Sequence, residues 1–296
     1  MFKTTLMRNL RVCHVRHLSQ VATSRPSALK ISEEKGVRHI TLANPKTRNA
    51  LSLHVLEELH EAIHKENPLL RCIVLGAEGK VFSAGHNLKE LTAKDGRAYH
   101  QEVFDSCTRL MLALQSISVP VIAKVNGIAA AAGCQLVASC DIVIATDTSS
   151  FSTPGGGVGI FCSTPGIPLV RCVPRKVSAH MLLTGLPISA DEALRAGLVS
   201  KVVPESELDS EVQRTVEAIV SKSKAVIALG KSFMYRQMEM TIEDAYSAPR
   251  EDEKLRIHCR ASLVMSQAEA LLQKLLHQKR KSYLQFTKLE MNGCLM

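Results

Sequence analysis

From residue 36 onward, short apolar runs alternate with segments in which apolar residues recur every three or four positions. Residues 37–42, 71–75 and 119–125 predict strands, and residues 52–65 and 96–115 predict the helices between them. In the first of these helices Val55, Leu56, Leu59, Ala62 and Ile63 form one apolar stripe. The alternation continues with a helix after Ala131, a strand at 141–145, helices at 165–171 and 176–184, and a strand at 198–203. Strands that take turns with helices argue an α/β layered domain. Ser189, with Asp191 and Glu192 behind it, predicts the capped start of a short helix that Gly197 closes. Beyond Glu205 the pattern is helical, at 205–221 and then 223–240, and no further strand is evident.

Composition supports a packed core, since 46% of the 296 residues are apolar and only 22% are charged. No apolar run reaches the roughly 18 to 20 residues that span a bilayer, because Lys124, Asn126, Gln135 and Asp141 interrupt the most apolar stretch. The formal charge of +9 divides into +6 for residues 1–32, +4 for residues 247–296 and −1 for everything between. The basic excess therefore belongs to the two ends, and a nearly neutral centre with 4% aromatic residues gives nucleic acid no platform. Neither nucleic acid nor a membrane is expected as a partner. Residues 1–32 space Lys3, Arg8, Arg11, Arg16 and Arg25 among Leu6, Leu10, Val15 and Leu18, with no acid before Glu33. That is the composition of a mitochondrial transit peptide, so the matrix is the expected compartment and these residues are set apart from the fold. Nine cysteines without a C-x-x-C pair fit neither a disulfide framework nor a zinc knuckle, and read as reduced, buried small residues.

Two stretches carry candidate chemistry. Asn126-Gly-Ile-Ala-Ala-Ala-Ala-Gly-Cys-Gln-Leu-Val-Ala-Ser-Cys-Asp141 reads as a strand end, a small-residue turn and a helix whose first amides have no partner within the helix. Phe82-Ser-Ala-Gly-His-Asn-Leu-Lys-Glu-Leu91 offers a second turn of exposed backbone. With residues 45–51 and 183–203, these motifs resemble the enoyl-CoA hydratase (crotonase) superfamily over residues 36–245. The resemblance implies a ClpP-like spiral of ββα units over 33–204, a helical trimerisation region over 205–246, and assembly as a homotrimer or homohexamer. Residues 247–296 lack the terminal pattern of the family.

The resemblance also implies that the backbone amides of His86 and Ala132 form an oxyanion hole for the carbonyl of an acyl-CoA thioester. Coenzyme A contacts are implied at Arg48, Ala84 and Lys89, with no tightly bound cofactor and no metal. Hydratases of the family use two glutamates, and the matching positions are Gln135 and Gly155, neither of which can accept a proton. The expectation is an acyl-CoA-binding protein of fatty acid metabolism in which ordinary hydration is disfavoured. The alternative is a lyase, isomerase, decarboxylase or thioesterase that uses the hole with a bound anion, such as bicarbonate beside Gly155, or with another base, such as the His86 ring. Asn87 stands where many relatives carry Asp.

One motif points elsewhere. His60-Glu-Ala-Ile-His64 matches the zincin pattern H-E-x-x-H, but the apolar stripe of its helix leaves both histidines on the side of Glu57 and Glu61. The third ligand of the longer pattern is also missing, with Leu70 in its place.

Overall fold

The computed structural model describes residues 27–251. Residues 1–26 of the transit-like segment and residues 252–296 lie outside the described residues. The chain opens with β1 (Leu29–Glu34) and β2 (Val37–Leu42), followed by α1 (Leu53–His64), β3 (Cys72–Ala77) and β4 (Val81–Ser83). Then come α2 (Gly96–Ser116), β5 (Val121–Val125), β6 (Ile128–Ala130), α3 (Ala132–Ala138), β7 (Ile142–Thr146) and β8 (Ser150–Ser152). The remainder is α4 (Ser163–Cys172), α5 (Arg175–Thr184), β9 (Ile188–Ser189), α6 (Ala190–Ala196), β10 (Lys201–Val203), α7 (Leu208–Val220), α8 (Lys224–Gln237) and α9 (Ile242–Glu251).

Two sheets organise these elements. The larger has the order β1-β2-β3-β5-β7-β10, and the smaller β4-β6-β8-β9. Strand period explains how the larger sheet buries both faces. Along β3, Ile73 and Leu75 enter the main core with α1, α2 and α3, while Cys72 and Val74 face Leu208, Val212 and Val216 of α7. The stripe Val55, Leu56, Leu59, Ala62 and Ile63 of α1 is buried as its spacing predicts, and His60 and His64 stack at its margin with ring centroids 4.2 Å apart. The orphan carbonyls that end α1 are taken by a buried cation. Arg38 Nη1 donates to the Ala62 carbonyl at 2.8 Å and Nη2 to that of Lys65 at 2.7 Å, with Nε on Glu33 at 2.5 Å. The capping box of α6 is formed in full by Ser189 and Glu192.

The boundary drawn at residue 32 is shifted by the structure. β1 begins at Leu29 and pairs antiparallel with β2, Leu29 facing Leu42, and the Ala28 amide donates to Glu58 at 3.1 Å. Residues 28–32 therefore belong to the folded sheet, although they lie in the acid-free stretch. Four short strands were also not separable in sequence. β4, β6, β8 and β9 have two or three residues each, too few for any period to show.

Candidate functional site

The smaller sheet delivers the site. Its strands β4, β6 and β8 run parallel, with Ser83 beside Ala129 and Ala130 beside Ser152, so their C-terminal ends lie in a row. Each end leads directly into a predicted site residue: β4 into Ala84 and His86, β6 into Ala132, and β8 into Gly155.

At the first end, the Leu51 amide donates to the Gly85 carbonyl at 2.8 Å and the Asn87 amide to the Leu51 carbonyl at 3.3 Å. His86 lies between these bonds, so its own N–H points to the side away from Leu51. At the second end, Ala132 is the first residue of α3, where an N–H has no partner inside the helix. Glycines let the two ends meet. A methyl group added to Gly85 would stand 3.0 Å from the Ala132 nitrogen, and one added to Gly133 would stand 2.4 Å from the Ser83 carbonyl oxygen. Helix α3 has only seven residues, so its aligned dipoles are few and the amides themselves supply the local field. Donors fixed in this way can stabilise charge that develops on a carbonyl oxygen, each worth about 2.7 to 4 kcal/mol where such chemistry occurs.

The turn before α3 is strained. Ala131 has φ 50° and ψ −120°, a conformation that suits glycine, and its amide is tied to the Ser152 carbonyl at 2.9 Å. The turn before His86 is braced by Asn49, whose Nδ2 donates to the carbonyls of Glu78 and Val81, and by Ser83 Oγ, which donates to the Asn49 carbonyl and accepts from the Gly85 amide. Neither bracing residue carried a sequence signal, because a buried Asn in a loop looks like any turn former.

The His86 ring stacks edge-on against Phe104 of α2, with centroids 5.2 Å apart. Both ring nitrogens are buried, and among the described residues neither has a hydrogen-bond partner. Burial holds the imidazole below the ordinary histidine range, with the Leu51 carbonyl and Glu90 pulling weakly the other way. One helical step along α2, the Cys107 thiol faces Gln135 Oε1 at 4.0 Å. Gln135 is 4% exposed and lines a half-open cavity of about 490 Å3 between α2, α3, α4 and α8. His86, Ala132 and Gly155 do not line that cavity.

Gly155 lies in a 3₁₀ turn, its N–H donating to Cys162 Sγ at 3.3 Å. A Cβ at this position would fall 2.2 Å from the Ile160 carbonyl oxygen and 2.7 Å from Cys162 Sγ. The position a Cβ would take is thus already occupied by a carbonyl and a thiol.

Of the residues expected at the coenzyme, Arg48 and Ala84 are brought together, the Ala84 amide donating to the Arg48 carbonyl at 3.0 Å. Both Arg48 and Lys89 have exposed side chains. Asn87 caps the turn that carries Lys89, accepting from its amide at 3.3 Å and donating to Glu90 at 3.0 Å. Among the described residues no group of three or more His, Cys, Asp or Glu could hold a metal ion, and no helix is long and apolar enough to cross a membrane.

The family model described as enoyl-CoA hydratase/isomerase matches residues 32–254. The chain belongs to the enoyl-CoA hydratase/isomerase family. Among members of the enoyl-CoA hydratase/isomerase family it is similar to the Xenopus laevis enoyl-CoA hydratase domain-containing protein 3, mitochondrial, at 57% identity over 223 residues, 75% of this chain and 76% of that protein. It is also similar to the crystal structure of human enoyl coenzyme A hydratase domain-containing protein 3, at 49% identity and a TM-score of 0.76, covering 81% of this chain and 98% of that one. A Thermobifida fusca putative enoyl-CoA hydratase in complex with CoA matches at 27% identity and a TM-score of 0.73, covering 80% of this chain and 95% of the other. The crotonase fold expected from the motifs is thereby established, and the mitochondrial placement agrees with the names of close relatives.

Proposed function

We propose that the protein binds an acyl-CoA thioester in the mitochondrial matrix and serves fatty acid metabolism without acting as an ordinary enoyl-CoA hydratase. The observation that carries this reading is the pairing of two backbone amides without a partner among the described residues, at His86 and Ala132, with two acid positions that hold Gln135 and Gly155. The amides suit a thioester carbonyl. A carboxamide and a glycine supply no general base, a contribution otherwise worth about 10² to 10⁴ in rate.

Coenzyme A is expected at the exposed Arg48 and Lys89 and the part-buried Ala84, and the CoA bound to the Thermobifida relative supports that ligand class. A homotrimer or homohexamer is supported by apolar side chains left at the surface, among them Val158, Phe161, Ile167 and Val170, each more than half exposed. The test is calorimetric titration of the full chain with butyryl-CoA beside a crotonyl-CoA hydration assay. Binding with hydration at background level is the expected result. Hydration that Gln135→Ala abolishes would overturn it.

A further inference from the structure

The loop at 65–71, between α1 and β3, sets one leucine among cations. Its tip is fixed by hydrogen bonds. The Leu69 amide donates to Asn67 Oδ1 at 2.8 Å and the Leu70 amide to the Asn67 carbonyl at 3.0 Å, with Leu70 turned into the core at 6% exposure and Leu69 left 76% exposed. The β1–β2 turn holds the loop from one side. There the Arg71 amide donates to the Gly36 carbonyl at 2.7 Å, and a Cβ on Gly36 would fall 2.6 Å from the Leu69 carbonyl oxygen. The α7–α8 junction holds it too, Lys224 Nζ donating to the Pro68 carbonyl at 2.7 Å and Arg71 Nη2 to the carbonyls of Val220 and Lys222.

These bonds gather charges that lie far apart in sequence. Residues 33–38, 65–71 and 220–224 carry six cations, Lys35, Arg38, Lys65, Arg71, Lys222 and Lys224, against three carboxylates, Glu33, Glu34 and Glu66. Arg38 pairs with Glu33 and Lys35 with Glu34. Among the described residues Lys65, Arg71, Lys222 and Lys224 have no ion pair, which leaves four cations against Glu66 alone. An exposed leucine by itself carries no meaning. Here it is the tip of a braced loop whose own residues and bracing segment hold unpaired positive charge. A lone leucine offers a folded protein far less than the roughly 800 Å2 that each side of a stable interface buries. A bilayer interface takes one apolar side chain without a matching pocket, and anionic headgroups answer the cations.

We propose that this loop docks the protein on an anionic lipid surface, Leu69 entering the acyl boundary while Lys65, Arg71, Lys222 and Lys224 lie at headgroup level. Such contact is peripheral and needs no helix long enough to cross a membrane. It departs from the expectation of no membrane partner, which rested on spanning length and on charge summed along the chain, where residues 33–246 come to −1. It is independent of the thioester reading.

The chain has no tryptophan, so Leu69→Trp in the full chain places a single fluorescent reporter at the loop tip. Sedimentation with vesicles does not decide the matter, because residues 1–32 and 247–296 carry +6 and +4 and would draw the protein to anionic lipid by themselves. With vesicles of equal parts phosphatidylglycerol and phosphatidylcholine, emission from Leu69→Trp is expected to shift to shorter wavelength. Emission from Leu183→Trp, at a position 77% exposed on α5, should stay unchanged. Phosphatidylcholine alone should shift neither. Lys65 and Lys222 make no side-chain hydrogen bond among the described residues, so Lys65→Gln and Lys222→Gln can be added to Leu69→Trp without undoing the loop. Together they should raise the lipid concentration at half-shift about thirtyfold, at about fivefold per cation. No shift at Leu69→Trp, an equal shift at Leu183→Trp, or a half-shift concentration untouched by loss of both lysines would overturn the proposal. So would a shift with polyglutamate and none with vesicles, which would mark an acidic protein as the partner.

Discussion

The two ends of α3 handle polar groups in opposite ways. At its N-terminal end the His86 and Ala132 amides have no partner among the described residues, and Ala131 is held at positive φ. Just past its C-terminal end, Asp141 accepts from the Val121 amide at 2.6 Å, Lys231 Nζ at 2.7 Å and Tyr235 Oη at 2.9 Å. Lys231 spends its remaining donors on the Leu114 and Val119 carbonyls, at 2.7 and 3.0 Å. One end is fully satisfied and ties α8 to α2 and the large sheet. The other holds donors in reserve. Unpaired polar groups within a few residues of such a complete network are a property of the site and not of loose packing around α3.

The largest expected effect comes from the satisfied end. The side chains of Lys231 and Asp141 are only 5% and 8% exposed, so removing one partner strands a buried charge. Lys231→Met is expected to cost about 3 to 5 kcal/mol, seen as a lower denaturant midpoint at unchanged slope. Adding Asp141→Asn should recover part of that loss, because the stranded charge goes while the amide oxygen still accepts from the Val121 N–H and the amide NH2 donates to the Tyr235 oxygen. If the second substitution adds a further full penalty, the pair is not acting as a coupled charge.

Next is Gly133→Ala, where two effects compete. Helix propensity favours alanine by about 0.8 to 1.0 kcal/mol. The added methyl would meet the Ser83 carbonyl oxygen at 2.4 Å, and backbone on both sides cannot swing away. The clash wins, with a net loss of about 1 to 3 kcal/mol. Since relief requires α3 to back away from β4, acyl-CoA affinity should fall with stability in the same variant. A stable variant with unchanged affinity would show that the two amides need no such close approach.

This proximity was only half legible in the chain. The periods of α1, α2, β2 and β3 announced the large sheet and its helices, because elements of five or more residues repeat their pattern. The sheet that aligns β4, β6 and β8 consists of two- and three-residue strands, and its existence is visible only through the turns they feed. The small-residue run at 126–134 pointed to close backbone approach, yet nothing in it named Ser83 as the atom approached. Gly155 was readable as a missing acid. That Ile160 and Cys162 fill its space depends on a turn closing back through the Ile160 amide, which donates to the Gly155 carbonyl at 2.9 Å, and no spacing rule foretells it. The start of β1 at Leu29 was hidden because a basic, acid-free stretch continues into the first strand.

A smaller change of opposite sign tests the strained turn. Ala131→Gly removes a positive-φ penalty of about 1 to 3 kcal/mol and gives back about 0.4 to 1 kcal/mol of unfolded-chain entropy. The balance is a gain of about 1 kcal/mol, measurable as a higher melting temperature. If the variant is less stable than its parent, the Ala131 methyl packed against Gly85 contributes more than the strain costs.

The smallest effect belongs to His86 and is confined to acid. Burial lowers its folded pKa below the unfolded value, so between the two the unfolded chain binds more protons and stability rises with pH. The contribution is complete above the ordinary histidine value near 6.5 and is lost as pH falls from there toward the folded pKa. His39 and His60 are lowered in the same direction, also chiefly by burial, so the parent slope alone assigns nothing. The informative quantity is the difference between the parent and His86→Ala in the drop of melting temperature from pH 7.5 to 5.5, which should be larger in the parent. Equal drops would mean that the ring finds a proton acceptor on acidification, placing His86 with the satisfied groups at the far end of α3 and not with the reserved donors beside it.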